Sequence, residues 1–323
     1  MADGPAPIAG RFEGKDIISL EQFDTASIAR LFEITTQMRE IARSAAPSRV
    51  LEGNIVVLLF YEPSSRTMGS FDAATKQLGG QTVVVTNPQQ YSSVAKGESF
   101  ADTVRTFEAY CDAIVLRHDE TGAAARAAEV AEHVPILNAG DGIGEHPTQA
   151  LLDLYTIWER TRTLSGLKGL IAGDIVNGRT VHSLIRGLSL YADNELYLLA
   201  PPELRLDRDD LARFRARGVR ITEIEDTRDI PSDCHFWYWT RVQKERFASE
   251  EAYARVRNRF VVTPELLAER GNRDMILMHP LPRVGEITED VDKDPRAVYL
   301  RAQIRNGMYI RMALLALVLG RMR

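Results

Sequence analysis

Asn54-Ile55-Val56-Val57-Leu58-Leu59-Phe60-Tyr61 runs without a charge into Glu62-Pro63-Ser64-Ser65-Arg66-Thr67. The first part is rich in β-branched and aromatic residues, as expected of a strand buried on both faces. Pro63 ends the run, and Phe71, Ala74 and Leu78 then recur at helical spacing. A strand feeding a helix through a short turn is the unit from which parallel sheets are built. The start of such a helix carries free N–H groups and a partial positive charge, so it attracts anions. Ser64, Ser65 and Thr67 add hydroxyls, and Arg66 adds a fixed charge with a fork that suits phosphate. An ordinary capped helix would use the same residue types. The stretch allows both readings, and the rest of the chain decides between them.

The same alternation continues on either side. A helical pattern over 19–42 precedes it, with Asp24 expected as N-cap. Strands are expected at 81–86, 112–117 and 134–137, separated by helices at 99–110 and 121–132. Residues 87–98 read as a polar loop. From His146 the pattern repeats: helix 146–160, strand 167–172, helix 179–191, strand 195–200, helix 204–217, then strands at 219–223, 233–239 and 275–278. A helix over 306–319 closes the chain. This is an α/β protein with two sets of parallel strands and their helical crossovers, and the pattern puts the boundary near 146–150.

The 323 residues suffice for two domains with separate cores. A net charge of −5 without a basic cluster argues against a nucleic-acid partner, although arginines can still bind small anions locally. The two cysteines, Cys111 and Cys234, have no metal-ligand spacing, which points to a reducing, cytoplasmic setting. The first ten residues lack the basic flank and apolar core of a signal peptide. No apolar run approaches the roughly 20 residues needed to span a bilayer, so no membrane association is expected.

In open α/β sheets, ligands sit outside the carboxyl ends of the strands. Those ends carry Ser64-Ser65-Arg66-Thr67, Arg117-His118 and His146-Pro147-Thr148-Gln149 in the first half. In the second half they carry Asp174 with Asn177-Gly178-Arg179-Thr180, Thr240-Arg241-Val242-Gln243 and His279-Pro280-Leu281-Pro282-Arg283. Each alone would pass as a cap or a surface ion pair, but their recurrence at one rim favours a site for a phosphate and a multiply charged carboxylate. There is no nucleotide P-loop, no His-Glu-x-x-His and no Gly-x-Ser-x-Gly elbow. The glycines of 140–144 are misspaced for a dinucleotide fingerprint. His118, His133, His182 and His235 form no ligand-like group and read as structural. The rim therefore points to catalysis by positioning and electrostatics, with no metal, cofactor or covalent nucleophile.

Phe60-Tyr61-Glu62-Pro63-Ser64-Ser65-Arg66-Thr67, His146-Pro147-Thr148-Gln149 and His279-Pro280-Leu281-Pro282 together resemble the signatures of the carbamoyltransferases. Gly173-Asp174 through Ser183 and Thr240 through Arg246 resemble the aspartate branch. The ornithine branch typically has Ser-Met-Gly where this chain has Arg241-Val242-Gln243, and His-Cys-Leu-Pro where it has His279-Pro280-Leu281-Pro282. The resemblance extends from about Ile17 to the C-terminus, with the motifs in family order. Met68 departs from the basic or small polar residue common after the threonine, and Ala95 stands where a second lysine can occur.

The resemblance implies transfer of the carbamoyl group of carbamoyl phosphate to L-aspartate, in pyrimidine biosynthesis. It implies a carbamoyl phosphate-binding domain of residues 1–147 plus 305–323, with the C-terminal helix returning to it, and an aspartate-binding domain of 148–304. Ser64, Ser65, Arg66 and Thr67 would hold phosphate, with Arg117 spanning phosphate and carbonyl oxygen. Thr67, Arg117 and His146 would polarise that carbonyl. Gln149, the Leu281 carbonyl and Pro282 would hold or shape the amide pocket. Arg179, Arg241 and Gln243 would bind the aspartate carboxylates. Ser92 and Lys96 would reach a neighbouring subunit's site, which implies a homotrimer with shared active sites. A regulatory chain or a pathway-enzyme partner would be a further associate. Three other readings compete: transfer to ornithine or another amine, a non-catalytic relative that serves as a binding subunit, and a nucleotide-dependent oxidoreductase.

Overall fold

The computed structural model describes residues 5–322 apart from 92, 143, 245, 246, 248 and 258. They form two compact units, 5–152 with 305–322, and 153–304.

In the first unit, α1 (Thr25–Arg43) precedes β1 (Ile55–Phe60), α2 (Ser65–Gln77), β2 (Gln81–Thr86) and the short α3 (Pro88–Tyr91). Then come α4 (Phe100–Glu108), β3 (Ala113–His118), α5 (Ala123–Val130), β4 (Ile136–Asp141) and α6 (Pro147–Thr161). The Asp24 side chain accepts from the Ser27 N–H at 2.7 Å and caps α1 as its residue type demands. The four strands are parallel, in the order β2-β1-β3-β4. β3 is buried throughout and β1 nearly so, which explains their unbroken apolar sequences. Val57, Leu59, Ile114 and Leu116 pack with Val104 and Ala124 into one core layer.

The second unit continues with β5 (Lys168–Ala172), α7 (Arg179–Leu188), β6 (Glu195–Leu199), α8 (Arg208–Ala216), β7 (Arg220–Ile224) and β8 (Phe236–Trp239). It ends with α9 (Glu250–Val256), α10 (Pro264–Arg270), β9 (Ile276–Met278) and the start of α11 (Ala302–Val318). Its five parallel strands lie in the order β7-β6-β5-β8-β9. Trp237, Trp239, Leu170, Leu277 and Tyr299 fill the core on one side of this sheet.

Most of α11 belongs to the first unit. Arg311 donates to Ser70 Oγ on α2 at 2.8 Å and lies 5.2 Å over the Phe71 ring. The C-terminal helix thus returns to the first unit, as expected.

Several local expectations need correction. The stretch 87–98 holds α3 and a 3-10 turn at Ser93–Lys96. The fourth strand begins after Pro135 and runs on to Asp141, because buried Asn138 is satisfied by donating to the Ile18 carbonyl and to Asp141. Its polar residues hid it from a reading based on apolar runs. Leu204 sits in a separate 3-10 turn, so the charged helix starts at Arg208, capped by Asp207. Two short helices, α9 and α10, occupy a region whose mixed charges gave no periodicity.

Both sheets have a point at which the strand order reverses. In the first, β1 leads outward to β2 on one side and β3 lies on the other; in the second, β5 stands likewise between β6 and β8. Crevices at such points are where open α/β sheets bind ligands. The residues singled out at strand ends follow the strands beside these two points.

Candidate active site

In the first unit, Ser64 precedes α2, and its side chain makes no capping hydrogen bond to the helix. Ser65 and Arg66 are exposed on the first turn, while Thr67 is buried. Across the switch point, β3 delivers Arg117, itself 6% exposed. Its guanidinium donates to the Ala139 carbonyl at 3.0 Å and pairs with Glu62 at 2.7 Å. A neighbouring carboxylate and a backbone carbonyl fix the orientation of a buried charge that would be costly if unpaired.

Gly140 makes room for this arrangement. Its φ of +118° lies in the region that favours glycine, and a Cβ there would stand 2.6 Å from Arg117 Nη1 and 3.6 Å from the His146 ring. Arg117 and His146 are therefore neighbours across one glycine. Asp141 shapes the turn that follows, accepting from the Gly122 and Glu145 N–H groups at 2.9 and 3.0 Å. The glycine cluster of 140–144 is part of this turn, where the Gly142 N–H donates to the His118 carbonyl. His146 immediately precedes α6, and its carbonyl accepts from the Gln149 N–H at 3.0 Å. Its Nδ1 lies 3.4 Å from Thr148 Oγ1, which in turn accepts from Arg311 at 3.4 Å.

Lys96 is exposed and, among the described residues, has no ion-pair partner. Ser92 lies outside the described residues. His118 is held by its neighbours: Nδ1 accepts from the Glu120 N–H at 2.9 Å, the ring packs 4.5 Å from Tyr61, and burial lowers its pKa.

In the second unit the organising group is Asp174, which is fully buried just beyond β5. One carboxylate oxygen accepts from the backbone and side chain of Asn177, at 3.1 and 2.9 Å. The other accepts from the Gln243 N–H at 3.2 Å. Burial raises the carboxyl's pKa, opposed by these N–H donors and by the charge of Arg241. Asp174 thus ties the turn bearing Arg179 to the one bearing Arg241 and Gln243. The Gln243 side-chain amide is itself engaged with the Asn177 carbonyl at 2.8 Å. Gly173, at φ +113°, lies so close to β8 that a Cβ would stand 2.2 Å from the Thr240 carbonyl oxygen.

The third turn of this unit follows β9. Leu281 has φ +60° and is joined to Pro282 by a cis peptide. A branched side chain in the left-handed region costs on the order of 1–3 kcal/mol and persists only where the surroundings impose it. Arg283 is held by a two-point pair with Asp292 and by the Tyr299 hydroxyl.

Sequence reasoning assigned no role to Glu62, Asp141 or Thr148. Only Glu62 gave a signal, as a carboxylate beside a cationic motif.

Two family descriptions match this chain. Residues 15–159 match the carbamoyl phosphate-binding domain of aspartate/ornithine carbamoyltransferases, and 165–318 match their aspartate/ornithine-binding domain. The chain is 44% identical over 310 residues to the chloroplastic aspartate carbamoyltransferase of Arabidopsis thaliana, covering 96% of this chain and 79% of the relative. The chain belongs to the aspartate/ornithine carbamoyltransferase family. Multifunctional protein pyr1-3 of Dictyostelium discoideum is 47% identical over 307 residues, 95% of this chain but only 14% of that protein. Among solved structures, aspartate transcarbamoylase from Trypanosoma cruzi in complex with carbamoyl phosphate and aspartate superposes with a TM-score of 0.87 at 38% identity. That match covers 97% of this chain and 98% of the other. Carbamoyltransferase architecture accounts for the two parallel sheets and the returning C-terminal helix.

Proposed function

We propose that this chain transfers the carbamoyl group of carbamoyl phosphate to L-aspartate, giving N-carbamoyl-L-aspartate and phosphate. This is the committed step of de novo pyrimidine synthesis. The reading is carried by one observation: donor-rich strand ends flank the switch point of each sheet, and each set suits one anionic substrate. The family match and the aspartate-specific relatives support it further.

Residues 1–147 with 305–323 would form the carbamoyl phosphate-binding domain, and 148–304 the aspartate-binding domain. In the first, the start of α2 with Ser64, Ser65, Arg66 and Thr67 receives the phosphate. Arg117, Thr67 and His146 donate to the carbonyl oxygen as it gains charge. Fixed donors at a developing oxyanion lower the barrier because their orientation was set during folding. His146 is suited to donation because its ring stands beside Arg117 across Gly140. Gln149 and the Leu281 carbonyl hold the amide, and Pro282 shapes the pocket. Arg179, Arg241 and Gln243 bind the aspartate carboxylates.

The aspartate amine forms a bond to the carbamoyl carbon, and the tetrahedral adduct collapses by breaking the bond to the phosphate oxygen. The departing phosphate takes the amine proton, so the reaction needs no separate base. Holding the two reactants together supplies several orders of magnitude in rate. The decisive experiment compares phosphate release from carbamoyl phosphate with aspartate and with ornithine as acceptor. Release with aspartate alone supports the reading; release only with ornithine overturns it.

Ser92 and Lys96 would complete the site of a neighbouring subunit in a homotrimer. Exposure of Lys96 on the 88–97 segment supports this. Mixing inactive Lys96→Ala with inactive Arg66→Ala should restore some activity after subunit exchange, and no recovery would count against sharing. The enzyme would work in the cytoplasm. Among the described residues, no helix is long and apolar enough to cross a membrane. A regulatory chain or a pathway-enzyme partner would join the trimer, a reading supported by the multifunctional relative. Native mass measurement tests that assembly.

A further inference from the structure

The turn carrying Leu281 is fastened by a buried pair that the roles above do not use. His279 and Glu286 have side chains 1% and 4% exposed, with Nε2 and Oε1 2.6 Å apart. The Leu281 N–H donates to His279 Nδ1 at 2.8 Å, so that nitrogen is an acceptor and carries no proton. The imidazole is therefore neutral, with its proton on Nε2, donated to Glu286. The second Glu286 oxygen accepts from the Val284 N–H at 3.0 Å. Two side chains at the ends of the turn thus grip two of its peptide groups, and one belongs to the residue with φ +60°.

A buried hydrogen-bonded chain backs this clamp. The His279 N–H donates to Gln303 Oε1 at 3.0 Å, and the Gln303 amide donates to Asp153 at 2.7 Å. The other Asp153 oxygen accepts from the Tyr238 hydroxyl at 2.9 Å. Apolar packing would hold a turn at lower desolvation cost than a buried carboxylate. Directional bonds hold the peptide groups on either side of the Leu281–Pro282 bond, and the Leu281 carbonyl lies between these two fixed points, which packing alone would hold less well.

We infer that His279 and Glu286 are positioning residues that orient the Leu281 carbonyl, and that through it they set the preference for a carbamoyl over an acyl phosphate. The inference rests on the proposed carbamoyl transfer. A carbonyl oxygen accepts from an amide N–H but gains nothing from a methyl group. Acetyl phosphate, which has a methyl where carbamoyl phosphate has its amide, is therefore the discriminating probe.

The experiment uses the full chain with His279→Gln, His279→Asn and Glu286→Gln. It measures KM for carbamoyl phosphate and the inhibition constants of acetyl phosphate and inorganic phosphate. His279→Gln removes the acceptor for the Leu281 N–H, and Glu286→Gln sets an amide against the Val284 N–H. Both should weaken carbamoyl phosphate about tenfold, the effect of one well-made hydrogen bond, and leave the other two constants within about twofold. His279→Asn, which keeps an acceptor near the same N–H, should recover most of the preference. Parallel weakening of all three ligands, unchanged constants, or failure of all three variants to fold would overturn the inference by making the pair a folding element. A wild-type chain that transfers nothing to aspartate would instead defeat the underlying reaction assignment.

Discussion

The two units present their site residues by different means. In the first, near neighbours hold the site: Arg117 rests on the Ala139 carbonyl and the Glu62 carboxylate, and the groups of 64–67 ride on a helix start. In the second, a buried carboxylate does the holding, with Asp174 bonded to two turns that lie 69 residues apart at Asp174 and Gln243. A phosphate is a compact anion that a helix start and a fork of N–H groups can meet directly. An amino acid with two carboxylates needs donors converging from separate strands, so the turns that carry them must be linked. The first plan tolerates loss of a charge without loss of shape, whereas the second depends on one residue for the relation between two turns.

Five substitutions test this contrast. The largest effect belongs to Arg66→Ala, which removes the phosphate's charged anchor and leaves the backbone at the start of α2 in place. Turnover should fall by about 10³-fold or more, with the melting temperature little changed. Near-normal steady-state activity would remove the phosphate role from this stretch. Next is His146→Ala, expected to cost roughly 1–4 kcal/mol of transition-state stabilisation, seen in kcat. An effect confined to the KM for aspartate would show that His146 serves the other substrate.

The glycine pair gives a direct exchange between the two plans. Gly140→Ala pushes on Arg117 and should weaken carbamoyl phosphate about tenfold. Gly173→Ala pushes on the Thr240 carbonyl and should raise the KM for aspartate by a similar factor. Measuring both ligands in both variants breaks the comparison if the effects are interchanged.

The smallest expected effect is the stability change on Asp174→Asn. Burial raises this carboxyl's pKa, so its ionised form costs the folded state at neutral pH. As pH falls through the raised folded value the native state gains stability, and the gain is complete below the unfolded value of about 3.9. The neutral variant escapes that cost but sets an amide NH2 against an N–H donor that the carboxylate accepts, so the two effects oppose and stability at pH 7 should change by no more than about 1 kcal/mol, while its aspartate KM rises as the two turns separate. A large drop in melting temperature would show that Asp174 holds the fold rather than the site.

How much of this was visible in sequence depended on how far the reasons extend along the chain. The β1 run and the Phe71, Ala74 and Leu78 spacing are local, and both elements formed where they were expected. The polar residues after each strand were also legible, because a parallel sheet puts every carboxyl end on one edge. β4 was misplaced because Asn138 and Asp141 read as loop until their partners, Ile18 and Gly122, are known. The polar segment 88–97 gave no sign of its helical turns, since short helices have little periodicity to show.

The order of residues alone specifies the α/β class, the two sets of strands, the anion-seeking strand ends and the family. These follow from hydrophobic spacing, from the chemistry of helix starts and from motifs a few residues long. Which of those residues meet follows from the folded chain. It set Arg117 against Glu62 and Gly140, made Asp174 a bridge between two turns, and closed the Leu281 turn with His279 and Glu286. The bridges depend on strand order and on bonds between residues far apart in sequence. Even the short Leu281 turn takes its hold from burial in a core, which linear spacing does not record.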